Sequence, residues 1–324
     1  MTAAILSFNR REQLAITLET LQERLDWPAD RLEIIVVDNA STDGTPDMLR
    51  ERFPQVRLIE SGGNLGIAGW NLAFAAGRGE WFLVLDDDCH VSGDALRRAV
   101  TAAQEHDAQM VSFSVDSLDP DVGFSDVYRT GLLTFWGCAV LLEADATRRL
   151  GGFDADLFIW AHELEFTMRF LDAGHRHLTL PEVHALHQKT IPPVRVGPHR
   201  RNMRNWGYVA AKLLRPADAA LALASLVVRS FFEALIDRGH LRGGPAAIAG
   251  FRDGLKARAP VRREVSRLYR RHYIDFTSQF RLRERLRHHR PRRGERPPNY
   301  REQFTLARPK LYPSASAALR VPRP

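Results

Sequence analysis

The sequence predicts an α/β fold with a doubly wound, mostly parallel central sheet, followed by a basic helical extension. Three observations carry that prediction. Short apolar runs alternate with helix-periodic stretches through the first part of the chain. Two of those runs end abruptly in acids, at Asp38 and at Asp86-Asp87-Asp88. The charge balance then reverses: residues 195–324 hold 30 Lys+Arg and 9 Asp+Glu, whereas residues 1–194 hold 16 and 30.

The elements follow in order. Residues 3–8 read as a short buried strand. A helix comes next, with Asn9 as its N-cap and Leu14, Leu18, Leu21 and Leu25 along one face. Residues 33–38, EIIVVD, run unbroken into an acid, as a central parallel strand does. The STDGTP segment turns the chain into a second helix. Thr45 caps it, and Pro46 sits in the first turn, where a missing N–H costs nothing. A third strand is expected over 56–59, a helix over 67–76 and a fourth strand over 81–85. A helix over 94–106 precedes strands over 109–115 and 137–142. A helix over 163–173 stops at Gly174, and residues 216–236 read as an amphipathic helix. In sheets wound this way ligands bind beyond the carboxyl ends of the strands. Asp38 and the three aspartates therefore belong to one edge.

Composition narrows the function classes. Two cysteines, Cys89 and Cys138, are too few for a disulfide framework or a cysteine-rich zinc site, and fit a reducing, cytoplasmic setting. No run of about 18 apolar residues predicts a transmembrane helix, and no secretion signal is expected. GxxxxGK[ST] and GxGxxG are both absent, which argues against P-loop and Rossmann dinucleotide sites. A nucleotidyltransferase would need a glycine-rich basic loop near the first strand, and SFNRREQL is not one.

The acidic run is the strongest chemical signal. Three carboxylates after an apolar strand are costly unless a cation neutralises them. Mg²⁺ or Mn²⁺ carrying a diphosphate does so through oxygen ligands; a solvated acidic turn is the plain alternative. Asp38-Asn39-Ala40-Ser41 can accept from a base N–H or a ribose hydroxyl, or simply start a turn. Gly62–Gly66, GGNLG, precedes a helix, so its N–H groups can face an anion. Glu165 has Arg169 four residues on as a helix-surface partner. Glu163 has none, and fits either a helix-dipole role or that of a general base. His184 and His187 follow a short apolar segment, and His187 gains meaning only if folding brings it to Asp88.

In this order, ILSFNR, IIVVDNASTDGT, NLGIAGWNLAFAAGRGEWFLVLDDD, GGFD, HELEFTMR with the AGH after it, and PEVHALH resemble the family 2 glycosyltransferases. The likeness is greatest to their rhamnosyltransferase-like branch and spans residues 3–190. It implies a GT-A fold over residues 1–194, a nucleotide-sugar donor on dTDP or UDP, and Mg²⁺ or Mn²⁺ as cofactor. It also implies transfer to a hydroxyl of a glycan or lipid-linked acceptor, by an inverting route. The resemblance sets Asp38 against the base, with Ser7, Asn9 and Arg10 lining the same pocket. Asn64 and Gly66 lie against nucleotide and sugar. Asp86 and Asp88 form the DXD motif, with Asp86 and Asp87 on the nucleotide sugar and Asp88 the more direct metal ligand, and His187 approaches the metal from the other side. Glu163 falls where the family has the aspartate of its Glu-Asp pair, the catalytic base. That pair reads His162-Glu163 here, so Glu165 and His162 stay open as alternative bases. The departure also leaves room for a non-catalytic nucleotide-sugar-binding protein of the same fold. The QxxRW motif of processive synthases is absent, which implies addition of one sugar or a few.

Residues 195–287 join amphipathic helical stretches to many arginines, and residues 288–324, rich in Arg and Pro, read as a loose tail. The resemblance implies docking on an anionic membrane at the inner face of the plasma membrane, where each basic residue contributes about 1 kcal/mol. Leu221–Ile236 suits a packed helix or a dimer contact equally well. Nucleic-acid binding by 281–293 is disfavoured, because aromatics for base stacking are sparse there.

Overall fold

A computed structural model describes residues 1–117, 134–187, 196–236, 241–274 and 310–312 of the chain. Apart from 310–312, the expected loose tail lies outside the described residues. The chain divides into two compact units. The first holds the described residues up to His187 together with 310–312, and the second holds those from Val196 to Ile274.

In the first unit, β1 (Thr2–Ser7), β2 (Glu33–Asp38), β3 (Arg57–Glu60) and β4 (Trp81–Asp86) run parallel in the order β3-β2-β1-β4. Helices α1 (Arg11–Arg24), α2 (Thr45–Arg52) and α3 (Trp70–Ala76) follow the first three strands. Ile5, Leu83 and Leu85 pack with Leu14, Leu18 and Leu21 on one face. Ala4, Val37, Phe82 and Val84 pack with Trp70 and Phe74 on the other. Burial on both faces is why these strands are unbroken apolar runs rather than alternating ones.

Beyond β4 the sheet is mixed. β7 (Ala139–Glu143) runs antiparallel to β4 and to β6 (Met110–Ser117), and β8 (His177–His187) runs parallel to β6. β5 (Cys89–Val91) and β9 (Lys310–Tyr312) are antiparallel to β8. Mostly parallel thus describes the half from β3 to β4. Only Asp87 and Asp88 separate β4 from β5, and β5 pairs with β8 rather than with β4, whose neighbour on that side is β7. α4 (Gly93–Glu105), α5 (Ala144–Arg149) and α6 (His162–Asp172) complete the unit.

Two expected helix caps are corrected. Asn9 does not cap α1. It lies at φ 53°, outside the helix, and its Oδ1 accepts from Thr42 N at 2.7 Å. Thr45 is the first residue of α2, preceded by Gly44 at φ 83°. Asp43 does the work for both ends: Oδ2 accepts from Arg11 N at 2.9 Å and Oδ1 from Thr45 N at 3.1 Å. A carboxylate shared between two helix starts is favoured by both sets of unpaired N–H groups, but sequence spacing shows only the nearer one.

The second unit is helical: α7 (Val196–Leu213), α8 (Pro216–Ile236), α9 (Gly243–Lys256) and α10 (Arg263–Ile274). α7 and α9 touch backbone to backbone; a Cβ on Gly250 would lie 1.8 Å from the Arg204 carbonyl oxygen. Asp218 on α8 accepts from Ser266 Oγ at 2.6 Å and pairs with Arg270 at 3.2 Å, tying α8 to α10. Leu221, Val228, Phe231 and Phe232 on α8 stay exposed. Among the described residues no helix is long and apolar enough to cross a membrane.

Candidate active site

The parallel strands deliver the first side chains. In register, Ser7 on β1 pairs with Asp38 on β2, and Leu6 pairs with Asp86 on β4. Ser7, Asp38 and the aspartates therefore share one rim, as their positions at strand ends require. Asp38 is buried. Its Oδ2 accepts from Ser41 N at 3.0 Å, while Oδ1 is buried with no hydrogen-bond partner among the described residues. Leaving such an oxygen unmatched is costly, and a ligand N–H or O–H would relieve the cost.

The acids after β4 are held by three side chains from elsewhere. Ser7 Oγ donates to Asp87 Oδ2 at 2.9 Å. Arg10 reaches Asp87 Oδ1 at 3.0 Å and Asp88 Oδ2 at 2.8 Å. His187 Nε2 lies 2.9 Å from Asp88 Oδ1. The last contact exists because β5 pairs with β8 so that Cys89 faces His187. Ligand atoms of Asp86, Asp88 and His187 all lie within 4.8 Å of one another. His184 is paired in register with Ser114 and is not part of that group. Burial pushes the Asp87 carboxyl up to about 6, against the pull of Arg10 and Ser7. Burial opposes ionisation of Asp88 too, but there the His187 contact and the charge of Arg10 outweigh it and hold the carboxyl below its usual range.

The glycine-rich loop is braced from beneath. Asn39 Nδ2 donates to Asn64 Oδ1 and to the Gly66 carbonyl, both at 3.1 Å, and its Oδ1 accepts from Leu65 N at 2.9 Å. Asn64 Oδ1 also accepts from Gly66 N at 2.9 Å. The Asn64 carbonyl oxygen is therefore spent on shaping the loop. Gly66 sits at φ 57°, and a Cβ there would lie 2.1 Å from the Phe158 carbonyl oxygen. That oxygen accepts from Ile67 N at 2.7 Å.

The three acid–base candidates near α6 separate cleanly. Glu165 is fully buried and makes two 2.8 Å bonds to the Arg169 guanidinium. His162 is buried against Trp70, Phe135 and Phe153, and burial lowers its pKa, so it is neutral at neutral pH. Glu163 keeps a side chain 21% exposed, 3.3 Å from His162 Nδ1. A Cβ on Gly137 would lie 2.8 Å from Glu163 Oε1, and the next residue, Cys138, accepts from Asp86 N at 3.1 Å. Glu163 therefore abuts the same rim as the acids.

Backbone strain concentrates there. Among the described residues, seven non-glycines have positive φ, and five of them are Asn9, Ala40, Phe158, Trp160 and Ala161. Each costs of order 1–3 kcal/mol and persists where the surroundings enforce it, commonly at functional sites.

Sequence reasoning missed Thr17, Gly137 and the bracing role of Asn39. Thr17 Oγ1 donates to the Asp87 carbonyl at 2.7 Å from the middle of α1, a position with no local signal. Asn39 stood inside a motif already singled out, but its partners lie 25 to 27 residues away.

Comparison with known proteins agrees with this geometry. Residues 2–138 match the sequence profile of Glycosyl transferase family 2. The succinoglycan biosynthesis protein ExoO of Rhizobium meliloti is 34% identical over 121 residues, covering 37% of this chain and 33% of that protein. The chain thus spans only a third of that relative. The N-acetylglucosaminyl-diphospho-decaprenol L-rhamnosyltransferase of Mycobacterium tuberculosis is 24% identical over 273 residues, covering 66% of this chain and 89% of that protein. Among solved structures, the mannosyltransferase PcManGT of Pyrobaculum calidifontis, in complex with GDP-Man and Mn²⁺, superposes with a TM-score of 0.54. It is 22% identical, over 78% of this chain and 86% of that one. The fold is GT-A-like, as the motifs implied, and residues 2–138 are similar to glycosyl transferase family 2.

Proposed function

We propose that this chain is an inverting, metal-dependent glycosyltransferase. It moves a sugar from a nucleoside diphosphate sugar to a hydroxyl of a glycan or lipid-linked acceptor in cell-surface polysaccharide synthesis. One observation carries the reading: Asp86, Asp88 and His187 converge within 4.8 Å on the rim that also holds Asp38 and Glu163. Similarity to the succinoglycan biosynthesis protein and to the decaprenol-linked rhamnosyltransferase supports the polysaccharide context and a polyprenyl-linked acceptor, with a deoxyhexose such as rhamnose among the candidate sugars.

The donor set fits the expected ion. Two carboxylates and an imidazole suit a hard or borderline divalent cation, Mg²⁺ or Mn²⁺, and the imidazole tips the balance to Mn²⁺. Asp88 and His187 would hold it, with Asp86 beside them. When bound, it supplies positive charge to the departing diphosphate. The remaining steps belong to the protein. Asp38 Oδ1 accepts from the base or ribose, and Ser7, Asn9 and Arg10 line that pocket. Asp87 keeps Ser7 in place. Asn64 and Gly66 hold the loop against nucleotide and sugar. Glu163 takes the acceptor hydroxyl proton while that oxygen bonds to the anomeric carbon and the bond to the diphosphate breaks. One displacement inverts the anomeric centre.

The test is release of nucleoside diphosphate from a panel of UDP-, dTDP- and GDP-sugars with Mn²⁺ and a polyprenyl-diphosphate-sugar acceptor. One donor should turn over, and turnover should vanish with EDTA and in Asp88→Asn. Donor binding without turnover by any donor would favour the non-catalytic reading instead.

The membrane is the proposed partner of the second unit. Leu221, Val228, Phe231 and Phe232 share one face of α8 and are 44–58% exposed, in a region with a large arginine excess. Flotation with vesicles containing phosphatidylglycerol should carry the protein upward, and Phe231→Ser/Phe232→Ser should abolish that. Equal flotation on neutral phosphatidylcholine, or none on either, would assign the face to another role.

A further inference from the structure

Arg10 occupies the place of a cation. Its guanidinium spans one oxygen of Asp87 and one of Asp88, at 3.0 and 2.8 Å. His187 takes the other Asp88 oxygen at 2.9 Å. Both oxygens of the principal expected metal ligand are thus engaged within the chain. The exposures are unequal: the Arg10 side chain is 39% exposed, against 6% for Asp87 and 1% for Asp88. The guanidinium therefore covers the acids from the solvent side.

The need for such a cover follows from the charges. Asp86, Asp87 and Asp88 crowd three carboxylates onto adjacent residues, two of them buried, and like charges in that setting repel strongly. Arginine stays protonated at every relevant pH, so its hold on the acids is not released by titration. It is released by competition. A guanidinium offers five N–H donors and pairs with phosphate oxygens as readily as with carboxylates.

We propose that Arg10 is a displaceable counter-ion. It keeps Asp87 and Asp88 closed to a bare divalent ion and gives way when a diphosphate arrives to take its guanidinium. Ion and donor then enter as a coupled pair. The inference rests on the metal-site reading given above. By linkage, the ion must raise affinity for the diphosphate by the same factor as the diphosphate raises affinity for the ion, and Arg10 is the side chain through which part of that factor passes. In the proposal Arg10 binds the diphosphate of the donor, and it acts on the ion only by releasing Asp87 and Asp88.

The test needs no turnover. Binding of Mn²⁺ alone, without nucleotide, is measured from the electron paramagnetic resonance of the free ion. The proteins are wild type, Arg10→Gln, and Arg10→Gln combined with Asp88→Asn. Arg10→Gln should bind Mn²⁺ about tenfold more tightly than wild type, the size expected for removing one nearby positive charge at partly solvated sites. The double variant should lose the gain. Arg10→Lys keeps the charge but cannot span two acids, and should tighten binding in the same direction by a smaller factor, so it serves should Arg10→Gln fail to fold. Equal or weaker Mn²⁺ binding by the folded Arg10 variants, with binding still dependent on Asp88, overturns the counter-ion and leaves the metal site standing. Absence of Asp88-dependent binding in every protein overturns the metal site, and the counter-ion with it.

Discussion

Glu163→Gln is expected to lower turnover about 10²–10⁴-fold, with donor affinity unchanged. The amide keeps the size of the side chain but cannot accept the acceptor's proton. Geometry singles out this residue among its neighbours: Glu165 is consumed by Arg169, and His162 is enclosed by aromatic rings. Glu163 alone of the three retains a partly exposed side chain beside the acidic rim. Single-turnover rates with saturating donor measure the effect, and donor binding measured separately by calorimetry checks that the site is intact. A rate within a few-fold of wild type would remove Glu163 from the chemistry.

Arg169→Met should unfold the first unit at a much lower temperature. Glu165 would be left fully buried without its arginine, and breaking a buried ion pair from one side costs about 3–5 kcal/mol. The arginine also donates to the Leu150 and Gly152 carbonyls at 2.6 and 2.7 Å, so those acceptors lose their partners as well. For a domain of this size the melting temperature should fall by roughly 10 °C. Adding Glu165→Leu should recover much of the loss, because the buried charge then disappears with its partner. A single variant melting with wild type would show the pair to be dispensable.

The difference between what was readable in the sequence and what was not follows the range of the interactions. β1 through β4, with the helices between them, were visible because both faces of those strands are buried and the helix faces repeat locally. The acidic strand ends were visible for the same reason. The His187–Asp88 contact was named only as a condition, since it depends on β5 pairing with β8 about a hundred residues away. The bond from Arg10 to Asp87 and Asp88 had no signal at all: nothing local distinguishes a guanidinium that lines a pocket from one that seals it. The caps at Asn9 and Thr45 misread for a related reason. Local residue preference favoured them, but Asp43, reaching across from the neighbouring turn, satisfied both helices. The pairing of Glu165 with Arg169 was legible from their four-residue spacing on a helix, but it was expected on the surface and Glu165 is fully buried.

The tie between Ile67 N and the Phe158 carbonyl has a mechanical consequence. It fastens the loop proposed to grip the donor to the segment that leads directly into Glu163. Gly66 lies at the seam with no room for even a methyl group. Any side chain at that point would act as a wedge, prising apart the two surfaces whose spacing sets the distance between the incoming nucleophile and the bond it must break.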